Sequence, residues 1–202
     1  MQQLGLDFYL QNDVAAVARQ LLGKVLVHHR NGNELAARIV ETEAYAGIPD
    51  RASHAWGGRH TKRTAIMYAQ GGIAYVYKCY GLHQLFNIIT NQQGIPDAVL
   101  IRAVEPLGNL QIEKPVRGRL PGSGPALVTQ LLHLGMEHNG TSLLQQTIYI
   151  ADDGFRPGQV AVSRRIGVDY AGAAARWLYR FLIHKHAYVT PHPVNQEAIL
   201  LL

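Results

Sequence analysis

Hydrophobic and polar residues in the first part of the chain predict a helix followed by a β-hairpin. Apolar residues recur at helical spacing over Val14–Leu22, directly after Asp13, a residue type that favours the N-cap position. Two segments of strand-like alternation follow, Lys24–Arg30 and Leu35–Ala44. Asn31-Gly32 lies between them, and this dipeptide is the strongest short signal for a type I′ hairpin turn.

Further apolar runs of strand length follow, and their joins are mostly hairpin turns, although a helix with Pro125 in its first turn is predicted between the third and the fourth run. The runs span Ala74–Tyr80, Leu85–Thr90, Ala98–Glu105, Ile148–Ala151 and Val160–Val162. Short joins connect antiparallel neighbours, whereas parallel strands need long crossovers. The pattern predicts an α+β fold, with one compact domain over residues 1–202 and a mixed, largely antiparallel, curved sheet flanked by helices. Residues 163–202 are ambiguous between helix and strand.

Strand alternation predicts that two carboxylates and an aromatic ring share one face of the second hairpin strand. Ile39, Glu41, Glu43 and Tyr45 are each two residues apart, which is the period of a strand. A carboxylate at an anomeric carbon can stabilise an oxocarbenium-like cation and activate a water molecule. Two like charges in a dry site would also raise the pKa of one carboxyl group. The alternative is a solvated strand end paired with a nearby arginine.

A long segment without strand or helix pattern follows the hairpin. Residues 46–72 are rich in glycine, and a loop of this length in a compact domain is usually functional. The loop carries His54 and a group of residues able to bind phosphate, namely Ser53, Arg59, Lys62 and Arg63. We therefore expect this loop to meet a polyanion.

Tyrosines crowd the next strand, in the sequence YVYKCYG. Alternation puts Tyr75 and Tyr77 on one face and Tyr80 on the other, just before Gly81. A base taken from a duplex needs an aromatic stack, worth about 1–3 kcal/mol per base, and the vacated gap needs a wedge. Tyr77 and Tyr80 can do these two tasks, although tyrosines that simply pack the core would give the same pattern.

Two polar residues interrupt otherwise apolar strands. Arg102 lies in AVLIRAVEP, and a charge there is costly to bury unless it is paired. Pairing with one of the two glutamates is the simplest solution. Asn87 lies in LFNIIT, where its amide can read a base edge or satisfy a backbone group.

The composition and charge of the chain indicate what kind of partner the protein can bind. The chain has 202 residues, is 48% hydrophobic and 16% charged, and carries a net charge of +5. Residues 50–120 contain nine Lys/Arg and four Asp/Glu, so this segment holds the whole surplus. Such a segment suits a nucleic-acid partner, or is an ordinary basic surface.

Other features predict where the protein works and what it lacks. The single cysteine, Cys79, excludes an internal disulfide and indicates a reducing compartment. The N-terminus lacks the charge pattern of a signal peptide, and no apolar run approaches the roughly 18 residues of a membrane span. We therefore expect a soluble, intracellular protein without a membrane partner. With no P-loop, no dinucleotide-binding glycine motif and no cysteine pair, we expect no cofactor and no metal.

Together the segments resemble the alkyladenine (3-methyladenine) DNA glycosylase family that bacteria and mammals share. The resemblance is carried by LLGKVLVH (Leu21–His28), RIVETEAYAGIPDRASHAWGGR (Arg38–Arg59), YVYKCYGLHQLFNIIT (Tyr75–Thr90), AVLIRAVEP (Ala98–Pro106) and GSGPALV (Gly122–Val128). A weaker echo is SRRIGV, Ser163–Val168. Several independent blocks in the same order are far more specific than any one motif.

The resemblance implies a role for each candidate residue. Glu43 would be the general base for the attacking water, and Arg102 would help to hold that water. The walls of the pocket for the flipped base would be Tyr45, His54 and Tyr77. Asn87 would disfavour the amino group of guanine, and Tyr80 would be the wedge in the DNA. Glu41 matches no such role and is expected to be structural or supporting.

The implied activity is that of a monofunctional DNA glycosylase acting as a monomer on double-stranded DNA that contains damaged purines. It would flip and excise alkylated purines, and deaminated or etheno purines where their chemistry allows, and so begin base excision repair. In a bacterial cell it would work in the cytoplasm or nucleoid. Two other classes remain open at this stage: a non-catalytic nucleic-acid binder and a hydrolase of free nucleosides.

Overall fold

The computed structural model describes residues 1–108, 110 and 118–201. The strands in this part of the chain are β1 (Gln2–Gln3), β2 (Val25–Arg30), β3 (Asn33–Tyr45), β4 (Ile73–Cys79), β5 (His83–Thr90), β6 (Asp97–Pro106), β7 (Ile148–Asp152), β8 (Val160–Ser163), β9 (Arg180–Ile183) and β10 (Ile199–Leu201). The α-helices are α1 (Leu6–Tyr9), α2 (Val14–Gln20) and α3 (Pro125–Leu131). Short 3₁₀ helices lie at Trp56–Gly58, Ala65–Tyr68, Met136–His138, Asp169–Arg176 and Pro193–Glu197.

The strands form one branched sheet, and every strand pair among the described residues is antiparallel. The main path runs β1-β7-β2-β3-β6-β5-β4, and a second path runs from β3 through β9 and β8 to β10. β3 is the branch point because its first half pairs with β2 and residues 41–43 pair with β9, while β6 covers its other edge. The predicted α+β fold with a curved, largely antiparallel sheet is confirmed.

The predicted helix and hairpin are both present. The Asp13 carboxylate accepts hydrogen bonds from the backbone N–H groups of Ala15 and Ala16, which makes Asp13 the N-cap of α2. Asn31 and Gly32 have φ values of 50° and 76°. Two consecutive positive φ angles are what a type I′ turn requires.

A β-bulge near Val40 corrects the predicted alternation along β3. The register against β6 shifts between Ile39 and Glu41, and Ile39 and Val40 are both buried in the main apolar core. Strict alternation predicted that Ile39 shares the face of the glutamates. Because of the bulge it does not, and this prediction is wrong for Ile39. Beyond the bulge, the Thr42 hydroxyl donates to the carbonyl of Ala18 in α2, at 2.8 Å. Glu41 and the other odd-numbered residues that follow it are thus turned away from α2.

The main core lies between the sheet and helices α2 and α3. It includes Val17 and Leu21 from the α2 region, Phe86 and Ile88 from β5, and Leu132 after α3. Among the described residues, no helix is long and apolar enough to cross a membrane. Packing one side of β3, β5 and β6 in this way leaves their other side for the polar residues that form the candidate site.

Candidate active site

Glu43 is a fully buried carboxylate that accepts two hydrogen bonds and lies beside one guanidinium group. The Tyr45 hydroxyl donates to Glu43 Oε2 at 2.8 Å, and the backbone N–H of Ile166 donates to Oε1 at 2.7 Å. Arg102 Nη1 lies 3.4 Å from the same Oε1. A carboxylate offers about four acceptor positions, so this geometry fixes Glu43 and still leaves an acceptor position free.

Arg102 pairs with both glutamates, which confirms the predicted pairing. Its Nε donates to Glu41 Oε1 at 2.8 Å, and Arg180 Nε donates to the same oxygen at 2.7 Å. The backbone N–H of Thr190 donates to Glu41 Oε2 at 2.8 Å. Two carboxylates and two guanidinium groups thus form a buried cluster with balanced charge, as burial demands.

The charges in this cluster change the titration of its members. Burial favours the neutral form of Glu41, but Arg102 and Arg180 outweigh it and hold the pKa of Glu41 below its ordinary value. The expectation that like charges would raise a carboxyl pKa is therefore wrong for Glu41. Burial opposes the charge on Arg102, but Glu43 and Glu41 raise its pKa above the ordinary value.

Tyr45 rests on a buried ion pair that the sequence patterns did not reveal. Arg165 lies 4.8 Å from the centre of the Tyr45 ring and donates to both oxygens of Asp50, one at 2.9 Å. It also donates to the carbonyl of Ala44 at 2.9 Å. Burial, with a smaller contribution from Glu43, raises the pKa of Tyr45, so its hydroxyl stays a donor.

An aromatic corner lies beside the Glu43 carboxylate and consists of His54, Tyr75 and Tyr77. The rings of His54 and Tyr77 meet edge to face, with centroids 4.6 Å apart. Arg63 Nη2 lies 2.9 Å from His54 Nε2, and His54 Nδ1 lies 2.9 Å from the Tyr75 hydroxyl. Because a guanidinium can only donate, Nε2 is the acceptor and His54 is neutral. Burial, assisted by Arg63, lowers the pKa of His54 to about 4.

The residues predicted to contact phosphate lie in different environments. The Arg63 guanidinium lies 4.9 Å from the centre of the Tyr77 ring, so it contacts the aromatic corner although Arg63 is exposed. Arg59 packs against Trp56 at 5.5 Å, and Lys62 is exposed. Ser53 is buried, and its hydroxyl oxygen accepts from the backbone N–H of Ala55. Phosphate binding by these residues stays a prediction.

A cavity of about 380 Å³ joins most of the predicted site residues. Its walls include Tyr45, Ser53, His54, Arg63, Tyr77, Tyr80, Asn87, Arg102, Ile166 and Tyr170. This volume is within the range of about 300–1,000 Å³ that small-molecule pockets occupy. Glu43 lies one layer behind the cavity, where it accepts hydrogen bonds from the wall residues Tyr45 and Ile166 and lies beside the wall residue Arg102.

Asn87 satisfies a backbone group in this structure. Its Nδ2 donates to the carbonyl of Tyr75 at 3.1 Å, across the β4–β5 pair. The side chain is buried and contributes to the cavity wall. The bond fixes the orientation of the amide, while contact with a base edge stays a prediction.

Tyr80 projects from the turn between β4 and β5 at the rim of the cavity. β4 ends at Cys79, one residue before the predicted end, and Tyr80 and Gly81 adopt positive φ angles of 50° and 70°. Tyr80 is 92% exposed, and Leu82 in the same turn is 81% exposed. An aromatic residue held in a left-handed conformation at full exposure contributes nothing to the core, so it is available to a partner.

Comparison with known proteins gives one consistent result. A family model described as "Methylpurine-DNA glycosylase (MPG)" matches residues 7–187. A protein of Desulfitobacterium hafniense strain Y51, named "Putative 3-methyladenine DNA glycosylase", is 38% identical over 202 residues, covering 94% of this chain and 99% of the relative. A protein of Chlamydia abortus with the same name is 43% identical over 186 residues, covering 88% and 96% of the two chains.

Proposed function

Because the chain belongs to the methylpurine-DNA glycosylase family and is a hydrolase of N-glycosyl bonds in DNA, we propose that it flips damaged purines out of the duplex and excises them. The observation that carries this proposal is the buried Glu43 carboxylate, which accepts hydrogen bonds from two wall residues of one aromatic cavity and lies beside a third, Arg102. The products are a free base and an abasic site, without a strand break. Base excision repair then continues from the abasic site.

Glu43 is proposed to activate the water. In this step the water oxygen bonds to C1′ of the deoxyribose, its proton passes to Glu43, and the C1′–N bond breaks with its electron pair leaving on the base. The negative charge of Glu43 also stabilises the sugar cation that develops in the transition state. Arg102 lines the cavity beside Glu43, and we propose that its guanidinium helps to orient the same water.

The aromatic walls are proposed to sandwich the extruded base between Tyr45, His54 and Tyr77. A purine alkylated at N3 or N7 carries a positive charge, which an electron-rich aromatic face attracts. Such a base leaves as a neutral molecule and needs no proton donor. Hypoxanthine and ethenoadenine are neutral, so their excision requires a donated proton and should be slower. Arg63 must leave the Tyr77 ring before any base can stack there, because it now covers that ring.

Contacts with the rest of the DNA are proposed for the exposed residues around the cavity. We propose that Tyr80, which is exposed at the rim, fills the gap that the flipped nucleotide leaves. Arg59, Lys62 and a displaced Arg63 would then meet phosphates, with Ser53 nearby in the same loop. We expect the protein to act as a monomer, because one chain supplies every proposed part of the site.

A glycosylase assay with matched variants tests the proposal. The protein is incubated with duplexes that carry one hypoxanthine or one ethenoadenine, and separately with methylated duplex DNA, and abasic sites are then revealed by alkali. Breaks at the lesions are expected with the wild type and with Glu34→Gln, an exposed glutamate on the same strand, and should be absent with Glu43→Gln. Lesion binding without breaks would indicate a non-catalytic binder. Cleavage of free nucleosides alone would indicate a nucleoside hydrolase.

A further inference from the structure

The two glutamates of the ETE sequence have different surroundings. Glu43 accepts hydrogen bonds from two wall residues of the cavity, Tyr45 and Ile166, and lies beside a third, Arg102. Glu41 is bonded to one of them, Arg102, and otherwise to Arg180 and Thr190 on the far side of β3. Both glutamates are completely buried, so their bonds to the cavity wall distinguish them. Because Arg102 is the wall residue that Glu41 bonds, a contribution of Glu41 to the reaction is expected to pass through Arg102.

Glu41 controls the distance between Arg102 and Glu43. A guanidinium is a rigid plane, so fixing its Nε also limits where its two terminal nitrogens can lie. Glu41 holds Nε at 2.8 Å, while Nη1 stays 3.4 Å from Glu43. The second distance is longer than the roughly 2.7–2.9 Å of a charge-assisted hydrogen bond. Arg102 is thus bound to Glu41 and only adjacent to Glu43.

We propose that Glu41 is a positioning residue, which holds Arg102 on the cavity wall and prevents it from closing into a tight ion pair with Glu43. This inference rests on the proposed function of Glu43 as the base. Without Glu41, the nearest carboxylate for Arg102 is Glu43 itself. A direct pair would occupy a Glu43 oxygen that the water needs and would make the carboxylate a weaker base. It would also move the guanidinium away from the place where the water is held.

Arg180 binds Glu41 from the side of β3 opposite Arg102. It donates to the same Glu41 oxygen as Arg102, and its Nη2 donates to Asn195 Oδ1 at 2.8 Å. Asn195 in turn donates to the carbonyl of Thr190. Thr190 and Asn195 both follow residue 187, where the match to the family model ends. Thr190 therefore holds Glu41 directly, whereas Asn195 contacts only the outer end of Arg180, and Glu41 in turn holds Arg102.

Single-turnover kinetics with enzyme in excess can separate positioning from mere stability. The rate constant for excision is measured from pH 5 to 9 on the lesion duplex that the wild type cleaves fastest, and thermal unfolding is measured in parallel. Three variants are compared with the wild type. Glu41→Gln removes the negative charge, Glu41→Gln with Arg180→Met removes one charge of each sign, and Asn195→Ala removes only the outer contact to Arg180. Because the folded enzyme is kept at a saturating excess over the duplex, a partly unfolded preparation does not change the rate constant.

Positioning predicts that both Glu41 variants lose about tenfold to a hundredfold in rate, the range that a small misplacement of a catalytic group costs. The acid limb of the profile should move to lower pH, because a closer guanidinium favours the charged form of the carboxylate that takes the proton from water. The charge-balanced double variant should recover thermal stability without recovering rate. Asn195→Ala should lose stability while keeping the wild-type profile.

Two results would overturn the inference in distinguishable ways. A double variant with the wild-type rate and acid limb would show that Glu41 only stabilises the fold, while leaving the role of Glu43 intact. If the wild type itself excises no base from any lesion duplex, the proposed function fails first and the positioning role fails with it. Should Glu41→Gln alone not fold, the double variant decides the question, because its buried cluster keeps balanced charge.

Discussion

Removing Arg165 should destabilise the protein far more than removing its neighbour Arg164. Both arginines form ion pairs, but in opposite surroundings. Arg165 and its partner Asp50 have completely buried side chains, whereas the Arg164 and Glu197 side chains are 43% and 55% exposed. Replacing each arginine with methionine keeps a long apolar stem and removes the charge. The pair of variants therefore isolates the effect of burial.

The expected loss for Arg165→Met follows from what remains buried. Asp50 would keep its charge without a cationic partner, and breaking such a pair typically costs about 3–5 kcal/mol. Each kcal/mol lowers Tm by about 2–4 °C in a domain of this size, so the expected fall is roughly 6–20 °C. Arg164→Met should change Tm little, because solvent and salt screen an exposed pair.

Arg165→Met should also slow excision. Arg165 supports the Tyr45 ring and directly precedes Ile166 in the chain. Tyr45 and Ile166 are the two residues that donate hydrogen bonds to Glu43. Thermal unfolding followed by circular dichroism measures the stability, and single-turnover excision at a temperature where both variants are folded measures the rate. If the two variants had the same Tm within error, the assignment of Arg165 as a buried anchor would be wrong.

Three further predictions follow from the same site. Tyr80→Ala should slow excision from a duplex more than from a single strand, because only the duplex has a gap to fill; equal losses on both would refute the wedge role. His54 is neutral in the fold with a pKa of about 4, so stability should fall as pH drops from about 6.5 to 4, where the unfolded chain takes up a proton that native His54 does not. His54→Gln should flatten that part of a urea-unfolding series, and an unchanged series would contradict the assignment. Arg63→Ala should lower the slope of log binding constant against log salt by about one if Arg63 moves to a phosphate, and an unchanged slope would leave it as a pocket residue only.

Local features of the fold were predictable from the sequence, because their physical causes lie within a few residues. The Asp13 cap, the Asn31-Gly32 turn and the placement of Glu41 and Glu43 on one face all follow from residue preference or strand period. The pairing of Arg102 with the glutamates was also predictable, since a charge in an apolar strand needs a partner.

Features that depend on distant segments were not predictable in this way. The bulge near Val40 arises where β3 passes from pairing with β2 to pairing with β9, and the sequence of β3 alone does not show that change. Ile166 reaches Glu43 across more than a hundred residues of chain. The only local sign of this contact was the charged SRRIGV segment in an ambiguous region. The place of Arg63 against Tyr77 likewise depends on how the long loop folds back over β4.

Single-turnover excision by Glu43→Gln tests most directly whether Glu43 activates the water. Lesion-duplex binding is measured on the same preparation. Glutamine keeps the size of the side chain but cannot take a proton from water, and a general base typically contributes about 10²–10⁴-fold. We expect Glu43→Gln to lose at least about a hundredfold in excision rate. Its binding to the lesion duplex should stay close to that of the wild type and of Glu34→Gln. A Glu43→Gln enzyme that retains the wild-type rate would contradict the claim that Glu43 activates the water.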